Sequence, residues 1–418
     1  MRSYTLLTLS SLFLSVYAQD RSSEQAEAKI TDPDQECKPY SYPDVANNLS
    51  KFPTVWQTAH ILENDQDAQN KWNEIKGSVP NISPKGNAEG DISQFMPTYP
   101  TNDPDCWWTY KQCIGEGDVA KVPEPMTIGF GFDDGPNCSH NAFYDFLQSQ
   151  NQKATLFYIG SNVMNWPLEA QRGAADGHEI CAREHLVAPS HDWPVVGRCL
   201  RRALVYAIPL NPNDVIVFDP TFICQAQAIK LITGVTPNCW RPPTGDIDNR
   251  IRAIAKGLGL TTMLWGYDSA DWRVAAGQVT PADVDNNYQH LIDDAKSGKF
   301  NDAGAIILQH ELNNFTMSEA LKWYPTFKET FKSIVPVGVA LSNNGQTLGS
   351  FNTGGVNATS TNSSSQSASN PSSTSSNKPT TTTGGNTSAG KTSGNGASTV
   401  VPRAAWGLAA LAMGVLAL

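Results

Sequence analysis

The chain has 418 residues, a net charge of -10 from 30 basic against 40 acidic side chains, and 40% hydrophobic residues. That balance offers no attraction to phosphate backbones or other polyanions, so no nucleic-acid partner is expected. An uncharged polymer, or one that becomes cationic on reaction, is compatible, and the protein is read as a monomer.

Taken in chain order, Met1–Ala18 has one arginine, then the apolar stretch Leu6–Val16, then the small-residue site Val16-Tyr17-Ala18. This is the layout of a secretory signal peptide, residues 1–18. Residues 19–120 carry Trp and Pro without a repeat and are assigned to an N-terminal extension packed on the domain that follows, 121–344. In that domain short apolar runs alternate with helical stretches, which predicts βα units around a parallel sheet or barrel and hence an α/β fold. Met126–Phe132 is predicted as the first strand, Ala142–Gln150 as a helix and Thr155–Ile159 as the second strand. A helical region over Trp166–Ala175, a short strand from His178 to Cys181, a helix over Ile247–Gly257 and strands over Thr261–Trp265 and Ala305–Leu308 follow. Polar groups recur where these strands end. Active sites in such folds gather at the carboxyl ends of the strands, so Asp133, Asp134, Asp268, Asp271 and His310 are predicted to face one mouth.

Residues 345–395 are Ser, Thr, Asn and Gly with almost no large apolar side chain, too little to offset the entropy of ordering. They read as a glycosylated stalk, with Asn-x-Ser/Thr sequons at Asn357, Asn362 and Asn386. The closing segment, 396–418, contains the apolar Ala404–Leu418, short for a membrane helix and followed by no charge. It reads as a GPI-anchor signal that is removed, with Ser393, Gly394 or Asn395 as attachment residue. The mature protein would then meet the membrane through a lipid, at the cell surface and wall. Further sequons at Asn48, Asn81 and Asn314 suit the secretory route, whereas Asn137 lies beside the predicted mouth, a poor place for a glycan. Eight cysteines in a secreted chain point to disulfides.

Asp133-Asp134-Gly135-Pro136 after a strand would by itself be a turn. It is followed in order by Arg241-Pro242-Pro243-Thr244-Gly245-Asp246, Asp268-Ser269-Ala270-Asp271-Trp272 and Leu308-Gln309-His310. Together these motifs resemble carbohydrate esterase family 4, the polysaccharide deacetylases, and within it the fungal chitin deacetylases, over about Pro123 to Phe315. The resemblance implies a distorted (β/α) barrel of the polysaccharide deacetylase type. It also implies metal-dependent removal of N-acetyl groups from an N-acetylglucosamine polymer such as chitin, giving chitosan and acetate during wall remodelling. By that similarity Asp134 is a metal ligand and Asp133 the general base. Arg241 would hold Asp133 ionised, His310 would be the general acid and Asp271 would orient it. Thr244 would offer its backbone N–H to the oxyanion, and Trp272 an apolar wall to a sugar face. A mixed imidazole and carboxylate site suits zinc or cobalt. Another acetylated glycan as substrate, or an anchored wall protein without turnover, is the alternative.

The family's His-Thr-Trp-Ser-His motif is missing after Gly177-His178-Glu179-Ile180-Cys181. Only His185 and His191 lie nearby, at a spacing that does not put both on one helical face. Codons can be chosen for His185 to Tyr206 so that the next reading frame spells Thr-Trp-Ser-His-Pro-Pro-Met-Thr and later Phe-Ala-Glu-Leu-Trp-Tyr. The segment 183–224 is therefore read as translated out of frame, with the family register returning at Ala226. The chain as it stands would bind metal poorly, and Cys199 and Cys224 would fall outside the disulfide set, leaving six.

Overall fold

The computed structural model describes residues 19–52, 63–83, 85, 92–93, 95–183 and 221–343. The signal peptide, His185, His191, Cys199, the stalk and the anchor signal lie outside them. The extension carries short helices α1 (Glu24–Glu27), α2 (Pro33–Glu36), α3 (Pro43–Asn48), α4 (Gln66–Ile75) and α5 (Trp108–Lys111). Then come β1 (Thr127–Gly129), β2 (Gly131–Gly135), α6 (Asn141–Ser149), β3 (Thr155–Ile159), α7 (Gly160–Asn165), α8 (Pro167–Ala175) and β4 (Glu179–Arg183). After the undescribed stretch follow α9 (Thr221–Thr233), β5 (Cys239–Arg241), α10 (Asn249–Gly257), β6 (Thr261–Thr262) and β7 (Tyr267–Asp268). The last elements are α11 (Pro281–Lys296), β8 (Ala305–Leu308), α12 (Asn314–Thr330), β9 (Ser333–Val335) and α13 (Val337–Asn343).

Among the described residues all strand pairing is parallel, in two sheets ordered β7-β8-β1-β9 and β2-β3-β4-β5-β6. The sheets join at two seams. β1 and β2 belong to one extended run, and along it Ile128 pairs with Ala305, Gly129 with Ile306 and Asp133 with His310, a constant offset. β6 and β7 likewise share a run, from which Gly266 donates to the carbonyl of Ile306 at 3.0 Å. The strands therefore close on themselves as a distorted barrel, and the predicted α/β barrel is what is found. The predicted first strand is split at Phe130, whose amide turns to the carbonyl of Val335 at 2.8 Å while the residues after it pair with β3.

Burial accounts for the elements. β3 reads Thr-Leu-Phe-Tyr-Ile with every residue buried, as a parallel strand covered on both faces must be. α11 buries Val284, Tyr288, Leu291, Ile292 and Ala295, one stripe at helical spacing, and starts with a capping box between Thr280 and Asp283. α10 is capped by Asp248, which accepts from the amides of Arg250 and Ile251.

The extension is stitched to the barrel. Cys37 is bonded to Cys138, and Trp107 donates its indole N–H to Asp246 at 2.5 Å. Its end enters the ring: the amide of Val119 donates to Thr262 at 2.9 Å and its carbonyl accepts from Leu264 at 2.7 Å. Two more disulfides, Cys106–Cys113 and Cys181–Cys239, use the remaining cysteines of the expected six, and Cys224 is a buried free thiol. In the chain-entropy account, closing the long Cys37–Cys138 loop stabilises by roughly 4–5 kcal/mol.

Candidate active site

β2 delivers the two acids of the first motif. Neighbouring side chains of a regular strand point to opposite faces. Here Asp134 has a left-handed φ of 71° and the register with β3 slips between Asp133 and Gly135, so alternation fails. Both carboxylates consequently reach one guanidinium. Arg183, at the end of β4, donates through Nη1 to Asp133 Oδ2 and through Nε to Asp134 Oδ1, the latter at 2.5 Å. The turn is held by Asn162, which donates its side-chain amide to the carbonyl of Asp134 at 2.8 Å.

Asp133 is fully buried and has a second cationic partner, Nη1 of Arg241 at 2.7 Å. Arg241 is itself fully buried. Its Nε and Nη2 donate to the carbonyls of Met263 at 3.2 Å and Leu264 at 3.3 Å, and its guanidinium lies 3.9 Å from the ring centre of Phe157. Burial pushes Arg241 below its ordinary pKa while the Asp133 charge pulls the other way. A guanidinium stays charged regardless.

His310 sits just past β8 and is buried. Asp271 takes its ring Nδ1 at 2.6 Å on one oxygen and its backbone N–H at 3.0 Å on the other. The left-handed Ala270 and the bond from Asp271 N–H to Ser269 Oγ, 3.3 Å, turn the carboxylate toward the imidazole. Burial alone pushes His310 down, but the charge and hydrogen bond of Asp271, with Asp134 and Asp133 nearby, lift it to about 9. The mouth thus holds the buried Asp133 and a His310 that keeps its proton in one field.

The other predicted residues lie on the loops that follow these strands. Thr244 is exposed on the turn after β5 and holds a left-handed φ of 53°, rare for a β-branched residue. Trp272 is half-buried, its ring centre 6.4 Å from that of His310. Asp268 accepts from the amide of Ala270 at 2.8 Å and so shapes the loop that carries Asp271. Asn137, the poorly placed sequon, donates its amide to the carbonyl of Leu312 at 2.7 Å.

The described residues do not fit a divalent metal. Asp134 is engaged by Arg183, which brings a cation with no lone pair to donate. Among the described residues no group of three or more His, Cys, Asp or Glu side chains is placed to hold an ion. Sequence reasoning assigned no role to Arg183 or to Glu311, which follows His310. The alternation that puts His310 in the mouth was the signal available for Glu311.

Residues 120–186 match the family described as Polysaccharide deacetylase. Chitin deacetylase 2 of Cryptococcus neoformans var. grubii is 44% identical over 336 residues, covering 78% of this chain and 69% of that protein. The chitin deacetylase of Amylomyces rouxii is 39% identical over 320 residues, 73% of this chain and 70% of the relative. The solved chitin deacetylase from the fungal pathogen Colletotrichum lindemuthianum is similar at 20% identity with a TM-score of 0.41, covering 54% of this chain and 92% of that one. With these relatives and this mouth, the chain belongs to the polysaccharide deacetylase family, as its motifs predicted.

Proposed function

We propose that the protein is a chitin deacetylase: it hydrolyses the N-acetyl groups of an N-acetylglucosamine polymer, releasing acetate and leaving free amines. The observation that carries this is the likeness to fungal proteins named chitin deacetylase over about three quarters of the chain, 78% and 73%. The mouth supplies the proton transfers. Amide hydrolysis needs a base for the attacking water and a proton for the departing amine. Asp133, paired with Arg241, accepts the proton from water. His310 gives its proton to the amine as the C–N bond breaks. Because Nδ1 is committed to Asp271, Nε2 is the nitrogen left to donate. Asp271 neutralises the imidazolium, and Trp272 offers its face to a sugar ring.

The family reading carries a divalent metal, zinc or cobalt by donor chemistry. In the described residues Arg183 stands where Asp134 would meet the ion. That same observation favours a second reading for the chain as it stands, an anchored wall protein without turnover. Secretion and a GPI lipid are supported by the sequence of residues 1–18 and 396–418. Among the described residues no helix is long and apolar enough to cross a membrane.

Acetate release from chitin oligomers, measured beside acetylated xylan, tests the proposal. Release from the oligomers is expected. Release from xylan alone moves the substrate to another glycan, and release from neither supports the silent protein.

A further inference from the structure

A second buried carboxylate lies behind the mouth, and the proton transfers do not use it. Glu311 follows His310, and on an extended segment neighbouring side chains take opposite faces, which drives Glu311 beneath the turn after β2. It is fully buried. Its Oε1 accepts from the backbone N–H of Asn137 at 2.9 Å and stands 3.0 Å from Nδ1 of His140. Its Oε2 accepts from the hydroxyl of Tyr144 at 2.9 Å, which in turn is 3.0 Å from that of Tyr158. The backbone joins in, since the amide of Glu311 donates to the carbonyl of Asp133 at 2.8 Å. Gly135 has a reason in this contact: a Cβ there would stand 2.4 Å from Oε2. The acidic turn rests directly on the carboxylate because it has no side chain at that point.

A buried carboxylate is costly unless its oxygens are met, so lifting the turn would strand Glu311 and is strongly opposed. The turn is also anchored from outside, through the Cys37–Cys138 bond and through Asn141, which donates to the carbonyl of Ile30 at 3.0 Å. We infer that Glu311 is a positioning residue: it clamps the turn bearing Asp133 and Asp134 to the strand end bearing His310, and so sets the distance between base and acid. The inference rests on the roles proposed for Asp133 and His310, and the clamp itself is readable without turnover.

The test compares wild type with Glu311→Ala, Glu311→Gln and Tyr144→Phe by amide hydrogen exchange and by steady-state kinetics on chitin oligomers. In Glu311→Ala the amides of Asp133, Asn137 and Glu311 should exchange about tenfold faster while those of Leu156 and Phe157 in β3 keep their protection. Turnover should fall by about tenfold or more with KM within about twofold, as misplacement of a reacting group does. Glu311→Gln keeps an acceptor for Asn137 and should recover most of both. Tyr144→Phe removes one donor and should open the same three amides by a smaller factor, which decides the matter if the alanine variant does not fold. Unchanged exchange at those amides, or equal acceleration in β3, overturns the clamp. A wild type that releases no acetate, with the local exchange pattern still seen in the variants, overturns the proposed activity and leaves the clamp standing.

Discussion

Asp133 and His310 are paired across the seam that closes the barrel. The amide of Asp133 donates to the carbonyl of Gln309 at 2.9 Å, and its carbonyl accepts from Glu311 at 2.8 Å, so the residue between, His310, lies opposite. The two residues proposed as base and acid therefore share a backbone register, and neither can shift along its strand without breaking the seam.

Asp133 is paired with two guanidinium groups, Arg183 and Arg241. Asp133→Asn keeps the shape and removes the charge. It should lower turnover on chitin oligomers by roughly 10²–10⁴-fold, the usual worth of a positioned base. It should also destabilise the fold by about 3–5 kcal/mol, because two buried cations lose their common partner. A urea titration and an acetate assay check both, and a folded variant with wild-type acetate release would remove Asp133 from the reaction.

The raised value of His310, about 9 against an ordinary 6.5, has a definite sign. A group that binds its proton more tightly when folded adds stability fully present below pH 6.5, and that stability is lost as pH rises through about 9. Catalysis should share the alkaline limb, since His310 must be protonated to serve the amine. Asp271→Asn removes the lifting charge while burial persists, so the limb of kcat/KM should move to lower pH by about one unit or more. Matching pH profiles of the two proteins would show that another group supplies the proton.

Arg241 spends its fork on a carboxylate and two backbone carbonyls. A lysine ammonium cannot reach all three in that plane. Arg241→Lys should cost roughly 2–3 kcal/mol in chemical unfolding and lower turnover even though the charge is kept. Equal stability and turnover in the lysine variant would mean that only charge matters at this position.

The double pairing of Arg183 with Asp133 and Asp134 bears on the reading frame. With a guanidinium bridging the two acids, the chain as it stands should show no saturable zinc binding by calorimetry at the mouth. The product of a message read in the adjacent frame across 183–224 should bind zinc there. Sequencing the transcript decides which protein is made, and an in-frame message encoding this segment as it stands would end the frame argument.

Much of this site was legible in one dimension. Asp133, Asp271 and His310 sit in short motifs at strand ends, and a parallel βα fold brings strand ends together, so type and order sufficed to expect them at one mouth, whereas Arg241 entered only through the family resemblance. The β3 strand was equally plain, because a buried parallel strand is a continuous apolar run. Short strands such as β5 and β9, three residues each, carry too few side chains for a period to show. Tertiary structure alone decided what crosses long separations. Glu311 meets Asn137 across 174 residues, and no local pattern encodes that contact. It alone decided that adjacent acids share Arg183, because a left-handed residue and a slipped register, not composition, turned both carboxylates the same way.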